Sequence, residues 1–70
     1  MEIEELLSNM GYKVAKLYNR GRLIYLHVVC PVRCIPDIRY NLEENGYDVC
    51  FLHILKNGEI QFVVVEDDGE

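Results

Sequence analysis

The sequence predicts an α+β domain of the order α-β-β-α-β-β, and three observations predict it. The chain nearly repeats itself after 35 positions, each copy opens with apolar residues at helical spacing that stop at a glycine, and each then runs into two strand-like segments around a turn. These features describe an internally duplicated unit, residues 1–30 and 35–66, folded as one domain over 1–70 with an acidic tail at 67–70.

The first helix is read from Ile3, Leu6, Leu7 and Met10, the second from Ile35, Ile38 and Leu42. Gly11 and Gly46 end them, since the residue after a helix often needs the left-handed backbone that glycine adopts without steric cost. Pro36-Asp37 opens the second helix, where a missing N–H costs nothing and a carboxylate complements the dipole.

The repeat itself is Ile3/Ile38, Leu7/Leu42, Gly11/Gly46, Tyr12/Tyr47, Val14/Val49 and Leu17/Leu52, six identities in fifteen positions. Beyond the turns the offset becomes 37, pairing Gly21 with Gly58, Tyr25 with Phe62 and Val28 with Val65, so the second hairpin reads as two residues longer. Asn57-Gly58 is the strongest turn signal in the chain and suits a two-residue type I′ loop. That loop sets Leu52 against Val63 and His53 against Phe62, and an Arg20-Gly21 loop sets Tyr18 against Leu23 and Lys16 against Tyr25.

Side-chain alternation then sorts the strands into two faces. One is aliphatic: Ala15, Leu17, Ile24, Leu26, Val28, Cys50, Leu52, Ile54, Val63 and Val65. The other holds six of the seven Phe and Tyr residues and both histidines, among them Lys16, Tyr18, Tyr25, His27, Phe51, His53, Phe62 and Val64. Small Ala15 and Cys50 favour the aliphatic face for close helix packing, which leaves the aromatic face open. The eight residues just named are the predicted binding surface. The resulting topology resembles a split β-α-β, ferredoxin-like fold whose first strand has moved to the end of the chain. That resemblance implies a four-stranded antiparallel sheet in the order 3-4-2-1, strands counted along the chain, with both helices on one face.

Composition narrows the function. Seventy residues, half of them hydrophobic, bury only about 60% of their unfolded surface, so a second chain is the expected source of further burial. The predicted partner is a twin, giving a homodimer through the aromatic face, or another protein on the same face. A net charge of −5 disfavours general phosphate binding. Single-stranded nucleic acid stays an alternative, because open-face aromatics stack bases and Lys16, Arg20 and Arg22 can meet phosphates.

Enzymatic chemistry finds no footing. Glu4-Glu5, Glu43-Glu44 and Asp67-Asp68 fall on helices or the tail, where carboxylates are ordinarily solvated. Alternation separates Cys50 from His53, and Cys30 has the wrong parity for His27. His27, Cys30 and Cys34 offer soft ligands, with Cys50 and His53 elsewhere, but not at the spacing of a structural zinc site. A metal or thiol site there is the remaining alternative; no catalytic residue, metal or cofactor is expected. Three cysteines cannot close into pairs, no secretory pattern opens the chain and no apolar run spans a bilayer, so the expected location is cytoplasmic, away from membranes.

Overall fold

The computed structural model describes residues 2–66, which leaves the acidic tail at 67–70 outside the described residues. Its elements are α1 (Ile3–Asn9), β1 (Lys13–Arg20), β2 (Leu23–Val29), a 3-10 turn (Val32–Cys34), α2 (Ile35–Glu44), β3 (Tyr47–Ile54) and β4 (Ile60–Glu66). The fold is α+β, an open four-stranded antiparallel sheet ordered β1-β2-β4-β3 with two helices. Among the described residues no helix is long and apolar enough to cross a membrane.

Both helices end as their glycines predict. Gly11 (φ 92) donates to the Ser8 carbonyl at 3.0 Å and Tyr12 N–H to the Leu7 carbonyl at 2.9 Å, a Schellman closure that also brings Tyr12 against the core beside Leu7. Gly46 (φ 89) donates to the Glu43 carbonyl at 3.2 Å in the same way. Each helix therefore turns its chain directly into an edge strand.

The core lies on one sheet face. Ile3, Leu6 and Leu7 of α1 and Ile38 and Leu42 of α2 pack against Leu26 and Val28 of β2 and Ile60, Phe62 and Val64 of β4. The sequence reading is corrected here, because it set Phe62 and Val64 on the open face and Val63 and Val65 beneath the helices. The cause is one residue of loop. Leu55 N–H donates to the Glu59 carbonyl (2.8 Å) and Gly58 N–H to the Leu55 carbonyl (3.0 Å), which makes Lys56-Asn57-Gly58 a three-residue loop with the positive φ on Gly58 alone. This is the type I turn plus left-handed glycine arrangement and not type I′. Leu52 consequently pairs with Phe62 and His53 with Gln61, and a slip of one residue moves every β4 side chain to the other face.

The first hairpin keeps a two-residue loop, but over Gly21-Arg22, with positive φ at Gly21. Tyr18 thus pairs with Tyr25 and Lys16 with His27, a shift of two that leaves every face assignment beyond the bulge intact.

Bulges complete the correction. Register shifts between Val14 and Lys16 and between Val49 and Phe51, leaving Ala15 and Cys50 as the extra residues. Both are exposed, so neither is the small contact for a helix that the sequence suggested. Upstream of each bulge the faces invert, and Tyr12, Val14, Tyr47 and Val49 pack against the core.

Candidate functional site

The open face is built from rows that cross all four strands. Tyr18, Tyr25, Val63 and Phe51 form one; Lys16, His27, Gln61 and His53 form the next. Six of the eight predicted surface residues are brought together in these two rows. Phe62 and Val64 are not, being fully buried on the opposite face for the reason given above.

The β1–β2 half of this surface is tied to itself. Tyr18 and Tyr25 stack with centroids 5.0 Å apart and planes within 4°, His27 tilts against Tyr18 at 5.9 Å, and the Arg20 guanidinium lies 5.9 Å from the Tyr25 centroid. His27 Nδ1 is 3.5 Å from Glu59 Oε1 while its Nε2 is 3.1 Å from Gln61 Nε2. The two ring nitrogens thus face a carboxylate on one side and a carboxamide on the other. Val63, between Tyr25 and Phe51 in the row, is only 4% exposed although no helix covers it.

The β3 side differs. Phe51 is 68% exposed and His53 is exposed beside it. On the other face of the same strand Leu52 (36%) and Ile54 (53%) extend past the cover of the helices. Sequence reasoning put Leu52 and Ile54 in the core, and it passed over Glu59 and Gln61 as partners of His27. Nothing in the sequence singled out the latter two, because Gly58 suits a two- or a three-residue loop and only the three-residue loop carries Gln61 to the open face.

The sulfur chemistry lies elsewhere. Cys30 and Cys34 are half-buried against the core. Burial, and secondarily the neighbouring Cys34, raises the Cys30 thiol above its ordinary value, which keeps it protonated and a poor nucleophile. A hydrogen bond with Cys34 is the main cause that pushes the Tyr12 hydroxyl up to about 12, with desolvation next. Cys50 is exposed at the β3 bulge, apart from them. Among the described residues no three His, Cys, Asp or Glu side chains gather as a ligand set. A hollow of about 660 Å³ beside Glu4, Glu5, Ser8, Tyr12 and Lys13 is open to solvent.

No family model, curated protein or solved structure matches this chain.

Proposed function

We propose that the protein is a small non-enzymatic interaction protein that works as a homodimer, with β3 as the part of the sheet that the second copy covers. Phe51 carries this reading. It is the most exposed apolar side chain of the open face, and Leu52 and Ile54 are exposed behind it. Monomers seldom leave an edge strand apolar on both faces, because such a strand pairs with whatever it meets.

A sandwich centred on Tyr25, Phe51 and Phe62 draws no support. Phe62 is buried, and packing two open faces together would desolvate the His27, Glu59 and Gln61 cluster. Stacking of single-stranded bases draws little, since Tyr18 and Tyr25 turn a ring face to each other. Sedimentation of the purified chain from micromolar to millimolar concentration tests the homodimer: a reversible monomer–dimer equilibrium is expected, abolished by Phe51→Glu. A monomer throughout sinks the reading.

The two halves are also read as a duplicated unit in a permuted ferredoxin-like layout. Support comes from extra residues Ala15 and Cys50, 35 positions apart, and from the paired sets Val14–Val28 with Val49–Val64 and Leu17–Leu26 with Leu52–Phe62. The offset is 35 in the first strand of each set and 36 in the second, so the hairpins differ by one residue.

A further inference from the structure

We infer that two copies join edge to edge through β3, antiparallel and with His53 on the two-fold axis, so that two four-stranded sheets become one of eight strands. The inference rests on the homodimer reading above and specifies its geometry. It begins with the backbone. Leu55 N–H bonds to Glu59 across the hairpin, and hydrogen-bonded pairs alternate along an antiparallel ladder. His53 and Phe51, paired with Gln61 and Val63, therefore point their amides at β4. Leu52 and Ile54 point theirs at the free edge.

With His53 on the axis, Leu52 of one copy faces Ile54 of the other, and the reverse. Each such pair exchanges two N–H···O bonds, so all the outward groups of Leu52 and Ile54 are satisfied at once. Moving the axis to Leu52 would use one such pair in place of two and set Ile54 against the bulged Cys50.

Side chains agree with that register. On the helix side Leu52 meets Ile54 twice; on the open side Phe51 meets Leu55 twice, so both faces bury apolar cross-strand pairs. Between Val49 and Leu55 the strand carries no carboxylate, lysine or arginine. At its ends Lys56 of each copy comes to the part of the partner strand that holds Asp48, which is attractive at both ends.

The opposite edge argues for the same occupant. β1 has Lys13, Lys16 and Arg20 within eight residues, and two such strands side by side would oppose like charges. Pairing β1 of one copy with β3 of the next is heterologous and runs on into a filament. Only β3 with β3 closes without opposing like charges. The contact is small against the ~1,600 Å² of a standard interface, so association in the micromolar range or weaker is expected.

Sedimentation combined with amide hydrogen exchange on the full-length chain tests this, comparing wild type with Leu52→Lys and with Leu17→Lys at the matching place on β1. Dimers should form with protection at Leu52 and Ile54 that rises with concentration. Leu52→Lys should weaken association by about tenfold or more, and Leu17→Lys should leave it unchanged. Absence of any dimer overturns both the inference and the homodimer reading. A dimer that tolerates Leu52→Lys, or shows no concentration-dependent protection at Leu52 and Ile54, overturns the edge pairing alone. The protection pattern is read on wild type, so a destabilised variant does not decide the matter.

Discussion

The first and second helix-hairpin units follow one plan and diverge where it counts. Each has a helix closed by glycine, a bulged edge strand and an inner strand buried on one face. The first closes its hairpin with two residues and lines its edge with lysine and arginine; the second uses three and leaves its edge apolar. One loop residue decides which β4 side chains make the core, and a few charges distinguish the β1 edge from the β3 edge. The two units are thus alike in their interior and unlike on their surface.

The largest expected effect separates Phe62 from Phe51, eleven residues apart in one hairpin. Phe62→Ala empties a fully buried site and should cost about 3–5 kcal/mol, enough to unfold much of a domain this small. Phe51→Ala should change monomer stability by roughly 0.5 kcal/mol or less, as exposed positions do. Urea denaturation at low protein concentration reads both. Equal, small losses would mean that Phe62 stands on the open face and that the three-residue loop is wrong.

This pair also marks the limit of what the sequence could yield. Helices, strands and the open antiparallel sheet were legible because glycine stops and apolar spacing are local signals. Face assignment was not, because it depends on the parity of loops and bulges. Gly58 serves a type I′ loop or a three-residue loop equally well, and nothing at Ala15 or Cys50 announces an extra residue. Lys16, Tyr18, Phe51 and His53 kept their face because each lies between its bulge and its turn, and Tyr25 and His27 kept theirs because the first loop shifted the register by two, which preserves parity. Phe62 and Val64 lay beyond the misread loop.

Gly58→Ala sharpens the loop comparison. Nothing lies within 4 Å of the added Cβ, so the cost is conformational alone, about 1–2 kcal/mol for placing an L-residue at φ 89. Thermal melts of Gly58→Ala and Gly58→Asn should bracket the effect, with asparagine the milder because it tolerates the left-handed region. Were the loop type I′, Asn57 would share the positive φ and Asn57→Ala would be costly too. Here it should lose only the 3.0 Å bond that Glu59 N–H donates to its side chain.

Tyr12 and Tyr47 occupy matching positions after the two helix-stop glycines, yet their hydroxyls are raised by different causes. For Tyr12 the hydrogen bond with Cys34 comes first; for Tyr47 it is burial, followed by the charges of Glu66 and Glu2. A folded-state value above the unfolded one means that the native protein holds the proton more tightly. For Tyr12 the stabilisation is complete below pH 10 and is lost as pH rises through about 12. Denaturation followed over that alkaline window should show stability falling. Tyr12→Phe should flatten the fall, and Cys34→Ala should flatten it in part, whereas Cys34→Ala should leave the Tyr47 share untouched.

The smallest effect distinguishes the helices themselves. α2 carries an Arg39–Glu43 pair at 3.3 Å, and α1 has no basic residue in its last turn. Both partners of that pair are about half exposed, and arginine precedes glutamate, the less favourable order along a helix. Its contribution should therefore sit near 0.2 kcal/mol, the low end of the range for such pairs. A double-mutant cycle of Arg39→Ala and Glu43→Ala in low and high salt should return a coupling of that size that salt removes. A larger, salt-resistant coupling would mean that Arg39 and Glu43 are shielded by something beyond this chain. The outer face of α2, in place of the β3 edge, would then be the surface to search for a partner.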